Sequence, residues 1–230
     1  MNRSEQPPNT LEISRDGAQL FAATALSSLA DLSTAFAHIP DDVPGTRLEK
    51  LSAHPNLFTA DGVIGMIAAS AIGCSARPVR ALFFNKSERS NWGLGWHQDR
   101  TICVERRIDV TGFEPWTRKA GLLHVSPPYE ILSRMVTVRV HLDDVTARNA
   151  PLLIAPGSHR LGRIAEEDIQ AVVARCGTAQ CLANAGDIWL YSTPILHASE
   201  AACEPRRRRV LQLDYAAFDL PHGLQWHRLI

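Results

Sequence analysis

Between Met135 and Val145 apolar and polar side chains alternate strictly. Val136, Val138, Val140 and Leu142 would share one face of an extended strand, and Thr137, Arg139, His141 and Asp143 the other. Further short runs rich in β-branched and aromatic residues cover 79 to 85, 96 to 104, 152 to 155, 187 to 191 and 207 to 218. Turn signals separate them, notably Ala155-Pro156-Gly157-Ser158 and Ala185-Gly186-Asp187. The pattern predicts a jelly roll, with one helix at about 165 to 175 interrupting the strands.

The first third reads differently. From 16 to 38 an alanine- and leucine-rich run places Leu26, Leu29 and Phe36 at helical spacing, and Ile39-Pro40-Asp41-Asp42 stops it. Shorter helices are expected over 47 to 52 and 61 to 72, the second capped by Thr59 or Asp61. At 230 residues and 45% hydrophobic the chain can build one sizeable core. We therefore expect a single domain over 1 to 230. Within it, 1 to 15 would be flexible, 16 to 77 a helical layer, 78 to 218 the jelly-roll core and 219 to 230 a tail.

Charge and cysteine content narrow the function. Lys and Arg total 24, as do Asp and Glu, so no overall field draws nucleic acid or a membrane surface, and a small-molecule partner is expected. The five cysteines are odd in number and contain no C-x-x-C pair, as expected of reduced thiols. Residues 1 to 16 lack the pattern of a signal peptide, and no apolar run is long enough for a membrane span. The expectation is a cytoplasmic protein; oligomeric state leaves no mark.

Two His-x-Asp triplets carry candidate metal chemistry, His97-Gln98-Asp99 and His141-Leu142-Asp143. On a strand the first and third side chains share a face, so either triplet can aim an imidazole and a carboxylate into one cavity. With a third ligand such as His197, either would leave half of an octahedral iron(II) open. Such a triplet is short enough to arise by chance, and spacing does not choose between them. Beyond His197 runs Arg206-Arg207-Arg208-Arg209, in which alternate residues face opposite ways on a strand. An inward arginine there would require an anionic partner.

Read in order, Trp96-His97-Gln98-Asp99, Leu142-Asp143-Asp144, Asn149-Ala150-Pro151-Leu152, Pro156-Gly157-Ser158-His159, Gly186-Asp187 and His197-Ala198-Ser199 resemble the phytanoyl-CoA dioxygenase family of iron(II)/2-oxoglutarate oxygenases. The resemblance covers roughly 82 to 218. It implies a double-stranded β-helix, cupin-like core. It also implies His97, Asp99 and His197 as the ligands of iron(II), with 2-oxoglutarate and O2 as co-substrates. The family's co-substrate arginine lies eleven residues after the distal histidine and seven before an aromatic; His197 and Tyr215 both point to Arg208. Ser199 matches the family's H-x-S and would join Arg208 on the far carboxylate. Thr137 is a further co-substrate candidate, and Arg139 and His141 would line the cavity for substrate.

The implied activity is oxidation of a small molecule, most simply hydroxylation, with release of succinate and CO2. Related halogenases carry a small residue in place of the carboxylate, so Asp99 points away from halogenation. The gly- and pro-bearing segment 101 to 128, with Arg106 and Trp116, is the candidate for substrate selection, either as a lid or as a surface excursion. His159 is expected to be structural, His124 to lie at the surface and Lys86 to be a solvated loop lysine. Two other readings stay open: a cupin-type metalloenzyme without 2-oxoglutarate, and a nonenzymatic module binding an anionic macromolecule through Arg206 to Arg209.

Overall fold

The computed structural model describes residues 11 to 43 and 45 to 230. Its strands, in chain order, are β1 (Ala18–Phe21), β2 (Gly45–Leu48), β3 (Arg77–Lys86), β4 (Leu94–His97), β5 (Ile102–Val104), β6 (Trp116–Lys119), β7 (Leu122–Val125), β8 (Val136–His141), β9 (Leu152–Ile154), β10 (Ala179–Cys181), β11 (Ile188–Ser192), β12 (His197–Ser199) and β13 (Arg208–Ala216). A major sheet runs β1-β11-β8-β13-β3-β2 and a minor sheet β10-β9-β12-β4; a small third sheet is β5-β7-β6. Every pairing is antiparallel. The major and minor sheets form the expected jelly roll, and both line one central cavity.

Alternation decides which face of the major sheet does what. Val136, Val138 and Val140 join Leu190, Leu211, Leu213 and Tyr215 in a core covered by Leu32, Phe58, Ile64 and Ile67. Each such side chain stabilises the fold by roughly 1.5–3 kcal/mol through burial. The opposite face of the same strands carries Arg80, Arg139, Arg208 and Gln212 into the cavity. The helical cover is thus what frees the other face for polar chemistry.

Several elements differ from the sequence pattern. The run 16 to 38 is not one helix: Ala18–Phe21 pairs with β11, and the α-helix is confined to Leu29–Ala35. Gly17 makes the switch. Its φ is +78°, and a Cβ there would lie 2.2 Å from His159 Nδ1, so only glycine fits. His159 packs against Gly17 and is not in the lining of the central cavity. Residues 45 to 48 form a strand on β3 where a helix was expected over 47 to 52, and the next helix spans Gly65–Ile72. In both strands tertiary pairing overrides a modest helical preference.

Segment 101 to 128 folds as the third sheet rather than as a structureless lid, with Phe113, Val125 and Trp226 in the core beneath it. Trp226 also bridges to Val104, so the C-terminal residues are packed into the molecule. Of the segment expected to be flexible, 1 to 10 lie outside the described residues; Leu11 is buried and Ile13–Asp16 form a helical turn. None of the cysteines is in a disulfide. No helix among the described residues is long and apolar enough to cross a membrane.

Candidate active site

His97 and His197 are direct partners across the β4–β12 ladder, their ring centroids 4.3 Å apart. Nδ1 of His97 is 2.8 Å from Gly95 O and Nδ1 of His197 is 2.9 Å from Ile195 O. If each Nδ1 donates, both Nε2 lone pairs are left to bind. Burial, reinforced by the His97 charge, pushes His197 down to about 4, so it is neutral at pH 7. The strands are braced by residues of the surrounding turns. Ser158 Oγ accepts from Leu196 N at 2.9 Å, and buried Gln98 donates to Pro194 O and Gly162 O and accepts from Ile164 N. The Pro-Gly-Ser-His turn thus supports the strand that carries His197.

Just past β4, Asp99 is held by Arg80, whose Nη2 donates to Oδ2 at 2.8 Å; Arg80 also ion-pairs with buried Asp214. Burial alone would raise the Asp99 carboxyl, but Arg80, His197 and His97 outweigh it and hold it at about 2. Among the described residues no three His, Cys, Asp or Glu side chains stand together as a metal cage, and the Asp99 carboxylate is engaged by Arg80. Its Oδ1 makes no hydrogen bond among those residues and is the oxygen left for a cation. Two imidazoles with open Nε2 atoms and one ionised carboxylate are chemically the donor set of an open-sided iron(II) centre.

The rival triplet is not assembled. His141 is 1% exposed, neither ring nitrogen has a partner, and burial followed by Arg139 and Arg208 drives its pKa well below the ordinary value. Asp143 is taken by Arg209, which donates to it through Nη2 at 2.7 Å and Nε at 2.9 Å. His141 is not part of the cavity lining.

The arginine run divides at the start of β13, where Arg208 and Arg209 alternate and Arg206 and Arg207 lie outside the strand. Arg206 is exposed, Arg207 pairs with Asp41 and Arg209 with Asp143, while Arg208 turns inward and is 2% exposed. Arg208 donates to Ala150 O, leaves Nε without a partner and has no carboxylate within ion-pair distance among the described residues. Burial, then repulsion from Arg139, lowers it to about 9.

Lys86, directly opposite Arg208 in the β13–β3 ladder, is also buried rather than solvated. Its Nζ donates to Trp92 O, to Ser199 Oγ at 3.1 Å and to Glu200 O at 3.2 Å. Burial, then Arg208 and Arg139, depresses it to about 7. Arg139, 6% exposed, donates to Gln212 Oε1 at 3.0 Å and lies over the Phe84 ring. Three buried cations therefore share one end of the cavity with no carboxylate beside them.

The cavity, of about 840 Å³, joins His97, Asp99 and His197 to Lys86, Arg139 and Arg208, with Ser199 at its edge. Tyr191 spans the gap between sheets: its hydroxyl donates to Gln212 Oε1 at 3.3 Å and its ring centroid is 5.9 Å from that of His197. Thr137 is not in the lining. Its hydroxyl bonds Asp214 Oδ1 and Thr193, which places it behind the Arg80 pair. Trp116 and Arg106 are likewise elsewhere, in a separate pocket with Arg107 and Arg118. From the third sheet and its approach it is Lys119 and Thr101 that reach the central cavity. His124, expected at the surface, is fully buried.

The family model for phytanoyl-CoA dioxygenase (PhyH) matches residues 60–210. No curated protein matches the sequence. Among solved structures, EctD from S. alaskensis with 2-oxoglutarate and 5-hydroxyectoine is similar at TM-score 0.63 and 16% identity, covering 89% of this chain and 73% of that one. AviO1 from Streptomyces viridochromogenes Tue57 gives 0.57 and 21%, covering 91% and 92%. HygX from Streptomyces hygroscopicus with nickel, 2-oxoglutarate and hygromycin B gives 0.56 and 16%, covering 89% and 84%.

Proposed function

The chain belongs to the phytanoyl-CoA dioxygenase family, and on that premise we propose that it is an iron(II)- and 2-oxoglutarate-dependent dioxygenase, built as one domain, that hydroxylates a small molecule. The observation that carries this reading is Arg208: a buried guanidinium with no carboxylate partner among the described residues, in the same cavity as two facing imidazoles. A buried charge is stable only when paired, so the site is complete only with an anion in it. A dicarboxylate meets that need, and the similar folds include EctD and HygX with 2-oxoglutarate bound.

In this reading His97, Asp99 and His197 hold iron(II). Arg208 binds the far carboxylate of 2-oxoglutarate through its guanidinium fork, and Ser199 adds a hydroxyl that Lys86 orients. Bound iron(II) would supply the oxidising chemistry by which 2-oxoglutarate and O2 become succinate and CO2, one oxygen atom ending in succinate and the other in the substrate. The protein's part is placement. Arg80 fixes Asp99 as the ionised carboxylate, and Gln98 and Ser158 brace the turns beside the strands that carry the imidazoles. Leu82, Phe84 and Trp96 give the cavity apolar wall. The arginine run does not support a macromolecule-binding module, because Arg207 and Arg209 are ion-paired and Arg208 is internal.

The test is an anaerobic titration of the protein with iron(II) and 2-oxoglutarate, watched for the visible metal-to-ligand charge-transfer band. A saturable band is expected. Its absence in folded, iron-loaded protein would overturn the reading.

A further inference from the structure

The cations lining the central cavity fall into three sets: those with a carboxylate partner, those grouped around Arg208, and two others. Arg80 lies between Asp99 and Asp214, and Arg100 reaches Glu166 at 3.5 Å. Arg208, with Lys86 and Arg139 beside it, forms the end assigned to the co-substrate. That leaves Arg47 and Lys119. Both line the cavity and both are half-buried. Among the described residues neither has a carboxylate within ion-pair distance; Lys119 makes only a long hydrogen bond of 3.4 Å to Thr101 Oγ1.

These two come from different parts of the fold. Arg47 stands on β2, the edge of the major sheet, opposite Leu82; Lys119 ends β6 of the third sheet. Lys119 nonetheless feels Arg47, and both feel the centre. Burial, then Arg80 and Arg47, depresses Lys119, and burial, then Arg80, depresses Arg47, while Asp99 acts on both in the opposite sense. Two like charges lining one cavity repel one another, and a bound anion relieves that repulsion. Iron(II) and the 2-oxoglutarate dianion together add no net charge, so loading the proposed centre leaves the surplus in place.

We infer that the substrate is a small anionic molecule whose carboxylate or phosphate group is held between Arg47 and Lys119, with an apolar remainder against Leu82, Leu94 and Trp96. The inference rests on the oxygenase reading, because it gives the Arg208 end to 2-oxoglutarate. An arginine fork and a lysine point charge are together suited to an oxyanion and hostile to a cation. Leu94, 46% exposed and part of the cavity lining, offers apolar surface to the rest of the ligand.

The experiment uses anaerobic protein saturated with iron(II) and 2-oxoglutarate. Saturation-transfer NMR is recorded against a fragment set of size-matched carboxylates, phosphate monoesters, neutral esters and amines. Acids should dominate the binders, and the split between carboxylates and phosphates tells which oxyanion is preferred. In an Arg47→Gln/Lys119→Gln variant their affinity should fall on the order of tenfold or more, the loss expected for charge-assisted bonds. The charge-transfer titration with 2-oxoglutarate should be unchanged, which also certifies that the variant is folded. Equal binding of esters or amines, or acid binding that survives the double substitution, overturns the inference. Failure of the wild type to bind 2-oxoglutarate at all would instead remove the oxygenase reading beneath it.

Discussion

His197 sits directly across the β12–β4 ladder from His97, with 4.3 Å between ring centroids and both Nδ1 atoms tied to backbone carbonyls. Two nitrogen donors are therefore set by strand register rather than by flexible loops. A divalent ion binding there should stabilise the fold in proportion to its occupancy, by about 2.7 kcal/mol at one hundred times its Kd. Manganese(II) or anaerobic iron(II) should raise the melting temperature of the wild type in differential scanning fluorimetry. His97→Ala and His197→Ala should each lose most of that rise.

Arg208 should show opposite effects on stability and on binding. Substitution by methionine removes a buried charge that has no carboxylate partner, so the ligand-free protein should be as stable as the wild type or more so in urea. The same change should weaken 2-oxoglutarate by about 2–5 kcal/mol, read by isothermal titration calorimetry with metal bound. A simultaneous loss of stability and affinity would assign Arg208 a structural role instead.

The Arg80 bridge predicts the reverse. Arg80→Met strips the counter-charge from both Asp99 and Asp214, the second fully buried. Removing one partner of a buried ion pair costs about 3–5 kcal/mol. Urea unfolding should detect that loss even without metal, and Asp214→Asn should recover part of it in the double variant by removing one stranded charge.

Acid should destabilise the protein before its carboxylates titrate. Burial, with Arg139 and Arg208, keeps His141 neutral far below its ordinary pKa, and burial, with Arg80 and Lys119, does so for His124, at about 4. The unfolded chain therefore binds protons below about pH 6.5 that the folded chain refuses, so stability falls as pH drops through 6.5 toward 5. Each histidine contributes up to about 1.4 kcal/mol per pH unit there. Urea midpoints at pH 7.5 and 5.5 should show the drop, and His141→Met should make it shallower by one proton's worth.

What was legible in the sequence follows from which interactions are local. The alternation of Val136, Val138 and Val140 against Thr137, Arg139 and His141 reports a strand with one apolar and one polar face, and the structure has that strand. The strands Ala18–Phe21 and Gly45–Leu48 were hidden because distant ladders, on β11 and β3, form them from residues with no strand pattern of their own. The choice between the two His-x-Asp triplets was closed to spacing for a similar reason. It is Arg209, sixty-six positions along the chain from Asp143, that claims the second carboxylate. Burial of Lys86 was invisible because its neighbours, Trp92, Ser199 and Glu200, are brought to it only by the folded sheets.

Tyr191 joins the major sheet to the ring of His197 on the minor one, which makes it a spacer between the imidazole wall and the wall that bears Arg208. A ligand that grips both walls is thereby measured for length. An acid one methylene shorter or longer than 2-oxoglutarate meets the same charges at the wrong separation, and the sheets, locked by their own cores, do not move to suit it.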